Sequence, residues 1–301
     1  MAASTIEPGA AAGPVRSASA FLYRHRWVKL GLILLAPLGW MVIVYLLSLV
    51  ALLVTSVWHL DPFSREVVKG VSFTNFRTIF TDPVYRIVAV RTFGIALGVT
   101  VADIALGFPI AYYMARLATP RGRTALLVAV TIPLWASYLL RAFAWKLITA
   151  PNGILDWLVH GLRLGHLQLG PSNWTVWLTF VYLWLPFVVL PIYAALERVP
   201  SSYLEASNDL GARGWTTFRR VVWPLALPGV VAGSIFSFSL TLGDYVAPTL
   251  VGNTQFIGNI IYQNVGVATN IPFAAAYALV PIAIIAVYLV IARRMGAFEA
   301  L

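Results

Sequence analysis

The chain has 301 residues, 60% of them hydrophobic and 11% charged, with a mean hydropathy of +0.82 and a formal charge of +10. Soluble domains are roughly a quarter charged, so this composition excludes a water-soluble domain and puts the chain in a bilayer. The lack of cysteine excludes disulfides, thiol nucleophiles and thiolate metal sites, and the basic residues lie in short segments between apolar runs instead of on one solvated face, which argues against nucleic acid as a partner.

In chain order, residues 1–20 are rich in Ala, Gly, Ser and Pro without apolar periodicity and read as a disordered part of an N-terminal tail over 1–29. Apolar runs long enough to cross ~30 Å of hydrocarbon as helices of ~20 residues follow at Leu30–Trp58, Ile87–Met114, Thr124–Thr149, Trp174–Leu196, Leu227–Val251 and Pro272–Ile291. The expected fold class is therefore an all-α membrane protein with six transmembrane helices. The first run follows the basic stretch YRHRWVK but is too long for a signal peptide and lacks a small-x-small cleavage site, so it reads as an uncleaved span over 30–58. A loop over 59–86 then leads to a core over 87–295, and residues 296–301 form a short tail. The segments FTNFRTIF and NGILDWLVHGL, in the loops at 59–86 and 150–173, have the composition of small interfacial helices.

Lys and Arg set the direction of threading, because cytoplasmic segments hold the excess of positive charge. Arg16, Arg24, Arg26, Lys29, Arg116, Arg121, Arg123, Arg198, Arg213, Arg219, Arg220, Arg293 and Arg294 fall on one side; Arg65, Lys69, Arg77, Arg86 and Arg163 fall on the other. Both termini are expected in the cytoplasm. Small residues spaced by four let membrane helices approach, and they mark Gly94, Gly98 and Ala102 on the second span and Gly229, Gly233 and Ser237 on the fifth.

The longest polar interruption in the second half, SSYLEASNDLGARGWTTFRRVVWPLALPG, lies between the fourth and fifth spans, on the side expected to be cytoplasmic. Ser202 to Glu205 fits a capping box, Gly211 suits a left-handed turn after a helix, and a second helical pattern runs through WTTFRRVVW to Pro224. The result is a helix, turn, helix knuckle over 200–226. On these features alone it reads either as a docking element or as an amphipathic linker lying on lipid headgroups through Arg213, Arg219 and Arg220.

The pattern Glu205-Ala206-Ser207, three residues, Gly211, nine residues, Val221-Val222-Trp223-Pro224 resembles the EAA loop of ABC importer permeases. It departs from that pattern in Ser207 for Ala, Val221 for Ile and Trp223 for Leu. The resemblance covers about residues 85 to 295, and the segments at 91–116, 132–155 and 239–253 are similar to the spermidine/putrescine type, a subfamily that also includes permeases for opines and other small organic solutes. It implies a type I importer permease (MetI-like) fold in a bacterial inner membrane, with Glu205, Ala206, Ser207 and Gly211 docking on an ATPase. It further implies a second permease subunit, two copies of a cytoplasmic ATPase that bind ATP and Mg, and an extracytoplasmic solute-binding protein. No cofactor is expected on this chain.

Intramembrane charges usually face a bundle interior or water, and they commonly pair with one another. At 100° per residue, Asp244 falls on the same face as Gly233 and Ser237. With Tyr245 and Trp145 it would attract an ammonium group by charge and cation–π contact; the alternative is a structural pair with Arg141 of the third span. Asp103 either lines the pathway or accepts hydrogen bonds from a neighbouring helix. Arg91 and Lys146, near span ends, suit snorkelling to the interface.

Other classes fare worse. A phosphate-cradling loop needs Gly-Lys before Ser or Thr, and Lys29, Lys69 and Lys146 follow Val28, Val68 and Trp145. A hydrolase needs a nucleophile, base or metal cluster at membrane depth, whereas His25, His59, His160 and His166 all lie outside the expected spans. A secondary transporter often has internal repeats and helices broken at mid-membrane; neither is evident in the sequence.

Overall fold

The computed structural model describes Tyr23, residues 26–162 and residues 169–294. The tails at 1–20 and 296–301, with Arg16, Arg24, His25, Arg163 and His166, lie outside the described residues. Helix α1, Arg26–Ser56, is apolar on all faces and carries Pro37 within it.

The unit beginning at Thr55 starts with a two-residue antiparallel pair, β1 (His59–Leu60) and β2 (Val67–Val68). In the turn between them Asp61 accepts from the backbone N–H groups of Ser64 and Phe63, at 2.9 and 2.8 Å. These bonds hold its carboxyl below the usual range. Helix α2 (Thr74–Thr81) follows. Helix α3 (Pro83–Tyr112) is opened by Asp82, which accepts from Val84 N at 2.8 Å, with Pro83 in the first turn where no amide bond is lost. A wide π turn, Tyr113–Leu117, ends it. Thr119 and Pro120 start α4 (Pro120–Trp135) in the same way. Then come α5 (Tyr138–Ile148), α6 (Ile154–Gly161), α7 (Asn173–Glu197, capped by Ser172), α8 (Ser201–Asp209) and α9 (Gly214–Thr217). A second π turn, Phe218–Val222, leads into α10 (Trp223–Gly243), followed by α11 (Val246–Val251), α12 (Ile257–Gly266) and α13 (Ile271–Arg294).

Five helical stretches among the described residues are long and apolar enough to cross a membrane: Trp27–Ser56, Pro83–Leu117, Asn173–Glu197, Gly214–Gly243 and Ile271–Arg294. The remaining expected crossing, the third in chain order, is not one helix. Its two halves, α4 and α5, meet at an angle of 96°. Pro133 cannot donate to the carbonyl four residues back, Ala136 N turns instead to Pro133 O at 3.2 Å, and Ala136 and Ser137 are extended. The fifth span departs from expectation as well. It begins at Gly214, because the second helical pattern of the knuckle runs through the π turn into the span, and it stops at Gly243 instead of continuing to Val251.

The core lies where α3, α7 and α10 meet. Phe108, Ala111 and Met114 of the α3 run pack against Val188, Ile192 and Leu196 of α7 and against Val222, Ala226 and Val230 of the α10 run. Glycine permits the closest approach: a Cβ on Gly229 would lie 2.5 Å from Pro191 O, and one on Gly233 would lie 2.8 Å from Val188 Cα. The stripe expected on the second span is only partly used. Gly98 faces the Trp177 side chain, Gly94 has open space beside it, and the tight α3–α7 contact falls at Gly107. At one end of the bundle Arg116 donates to Leu196 O and Val199 O, at 2.8 and 2.7 Å, closing the free carbonyls at the end of α7. Arg123 pairs with Glu197 there at 3.1 Å.

Candidate functional site

Two sites come out of this frame. The first is the knuckle. Pro200, extended at φ −63 and ψ 145, starts α8 with no side-chain cap, so the capping box expected from Ser202 and Glu205 does not form. Proline has already fixed the entry angle, and Ser202 lies inside the first turn. The exit follows expectation in detail: Gly211 has φ +72, its N–H bonds Asn208 O at 2.8 Å, and Ala212 N reaches back to Ser207 O at 3.1 Å. This is the paired 5→2 and 6→1 closure of a Schellman turn, which needs a residue that tolerates positive φ.

Glu205 and Ala206 are exposed, and α8 buries none of its residues. Ser207 is half-buried, and its hydroxyl shares a 2.9 Å hydrogen bond with Thr217 Oγ1, tying α8 to the base of the fifth span. Between the two arms runs an open groove of about 660 Å³ lined by Tyr203, Ala206, Ser207, Leu210, Thr216 and Arg220, among others. Trp223, one of the three departures from the EAA pattern, packs tilted against Phe108 and Phe218.

The second site joins the two helix breaks. Tyr138 opens α5 directly after the α4–α5 bend and donates its hydroxyl to Asp244, the residue that ends α10. The other carboxylate oxygen of Asp244 accepts from Ala247 N at 3.0 Å, closing a free donor in the first turn of α11. Asn259 completes the joint, bonding Tyr245 O at 3.0 Å and Thr249 Oγ1 at 2.6 Å. Gly258 lets α12 approach, since a Cβ there would lie 2.7 Å from Asp244 O.

The expected pathway residues are only partly assembled. Asp244 is half-buried and makes no ion pair with Arg141. The helical projection that put Asp244 over Gly233 does not apply, because the backbone leaves the helix at Asp244 (φ −75, ψ 135). Tyr245 stacks on Tyr262 at 4.6 Å, and Trp145 packs on Tyr182 at 5.5 Å, so neither forms a cage around Asp244. Asp103 is fully buried and accepts from Ser237 Oγ at 2.6 Å, linking α3 to α10. Arg91 donates to Gln255 O at 3.2 Å, and Lys146 is exposed.

Residues 107–298 match the family model described as binding-protein-dependent transport system inner membrane component, which covers more than half of the chain. The chain belongs to this family.

The permease is 44% identical over 297 residues to the inner membrane ABC transporter permease protein YdcU of Escherichia coli K12, covering 94% of this chain and 95% of that protein. It is 32% identical over 246 residues to the spermidine/putrescine transport system permease protein PotB of the same strain, covering 79% and 87%. In structure it resembles a chain of the bacterial alginate ABC transporter solved with an alginate pentasaccharide-bound periplasmic protein: TM-score 0.70 at 16% identity, over 90% of this chain and 94% of that one. It is thus a multi-pass inner-membrane permease subunit of an ABC importer with the type I fold, and not an enzyme. Helix breaks do not make it a secondary transporter, since the family is settled by the match over 107–298.

Tyr138, Gly258 and Asn259 were not singled out by sequence. Pro133, with the small residues Ala136 and Ser137 one turn further on, was a readable signal for the first break and hence for Tyr138. Asn259 carried none, because its role depends on which carbonyl the second break exposes.

Proposed function

We propose that this permease forms half of the translocation pathway of an ATP-driven importer for a small aliphatic amine, a polyamine of the spermidine/putrescine type in the first instance. The observation that carries this reading is the Tyr138–Asp244 joint, a carboxylate held where two broken helices meet. Discontinuous helices are where transporters place their solute sites, and a carboxylate in a low-dielectric setting attracts an ammonium group. The name of the PotB relative supports the same solute class.

In this reading the knuckle faces the cytoplasm, as the Lys and Arg distribution predicts, and the groove beside Ala206 and Ser207 lies against one of two ATPase copies that bind ATP with Mg. A second permease and an extracytoplasmic binding protein complete the assembly. ATP closes the ATPase pair, the Gly211 turn transmits the movement into the fifth span, and the permease pair opens outward to receive solute. Hydrolysis returns it inward.

The test is uptake of labelled spermidine and putrescine by cells with and without this chain, the other subunits being present in both. Loss of uptake without it supports the assignment; equal uptake removes polyamines as the solute. Asp244→Asn, which keeps the shape but removes the charge, is expected to cut uptake ~10-fold or more while leaving the amount of assembled transporter unchanged.

A further inference from the structure

Two groups of buried donors beside the Tyr138–Asp244 joint have no acceptor among the described residues. Trp184 is 6% exposed and its indole N–H is unpartnered; Nε and Nη1 of Arg141 are likewise buried and unpartnered. Tyr138 links the two. Its ring stacks on Trp184 at 5.9 Å and 11°, and Arg141 follows it by three residues, one turn along the same face of α5 and within electrostatic reach of the phenol. Buried donors are normally paired, and a guanidinium least of all is left alone. Asp244 does not serve them: each of its oxygens accepts one bond, from Tyr138 and from Ala247, and neither Arg141 nor Trp184 donates to it, which leaves lone pairs for an ammonium.

From this arrangement we infer that the joint selects an amine that also carries a carboxylate. The ammonium end is directed to Asp244, and the carboxylate end accepts charge-assisted bonds from a buried guanidinium N–H of Arg141 and a bond from the Trp184 N–H. A diamine of the same length fits less well. Its second ammonium has no lone pair for these donors and meets the guanidinium as a like charge. The inference rests on the reading of the joint as part of the solute path, and within the small aliphatic amines it favours those with a carboxylate in place of the second ammonium over the polyamines.

The test uses the complete transporter in lipid nanodiscs without its solute-binding protein, so that delivery does not impose its own preference. Binding of tritiated 4-aminobutanoate and 1,4-diaminobutane, which differ in one end group, is measured by scintillation proximity. The wild type is expected to prefer the amino acid by ~10-fold; Arg141→Gln should remove that preference, and Trp184→Phe, which keeps the stack but not the N–H, should lower it ~3-fold. If Arg141→Gln fails to assemble, Trp184→Phe decides. A preference that neither variant moves, or one for the diamine, overturns the inference and leaves the polyamine reading standing. Binding of the amino acid alone supports the inference and counts against polyamines. Binding of neither probe overturns the inference and leaves polyamines to the uptake assay.

Discussion

The α7–α10 contact and the knuckle adjoin in sequence and are built in opposite ways. Helix α7 buries Val188, Val189, Ile192 and Leu196 completely and receives Gly229 and Gly233 against its backbone. Helix α8 buries nothing and holds its shape through a proline entry, a glycine exit and one hydroxyl bond. Burial and close packing stabilise the first, whereas local backbone chemistry shapes the second. Helix α8 keeps Glu205 and Ala206 outward, as the docking role proposed for it requires, and rigidity then has to come from the turn instead of a core.

That contrast is testable by what each region tolerates, and the largest effect belongs to the packed contact. Gly229→Leu drives a side chain into Pro191 O and the Ala195 Cβ, where backbone cannot yield, at a cost of ~3 kcal/mol. Assembled permease should fall severalfold in fluorescence-detected size exclusion; normal yield would show that α7 and α10 are not packed as described. Gly211→Pro comes next. Proline requires φ near −65° and lacks the N–H, while this position has φ +72 and donates to Asn208 O at 2.8 Å. Assembly should persist while uptake falls ~10-fold and ATP hydrolysis loses its response to solute. Wild-type uptake in this variant would sink the docking role of the knuckle. Smallest is Ser207→Ala, which removes the 2.9 Å bond to Thr217 worth ~1 kcal/mol. The EAA pattern has alanine here, so uptake should change less than ~2-fold; a larger loss would mean that the two arms of the knuckle move as one piece through this bond.

The same contrast separates what was legible from what was not. Gly211 was readable because a left-handed turn is a property of one residue and its neighbours. The capping box at Ser202 failed because Pro200, two residues earlier, fixed the helix start first. At the Tyr138–Asp244 joint, Asp244 stood out as a charge in an apolar run, and a pair with Arg141 was one of the two readings open to it. Arg141 is the obvious electrostatic mate, yet the bond goes to Tyr138, which the 96° bend brings to the end of α10.

Hydropathy was enough to determine a multi-pass membrane chain, the order of its crossings and the place of the knuckle between them, and the resemblance of Glu205 to Pro224 to the EAA loop pointed to a permease. These are properties of chain segments in a bilayer, where each span must satisfy its own backbone. Only the tertiary structure decided where two of those spans break and which side chains meet there. A break exposes backbone groups whose partners come from other helices: Tyr138 and Asn259 for the end of α10, and Gly258 for the room beside it.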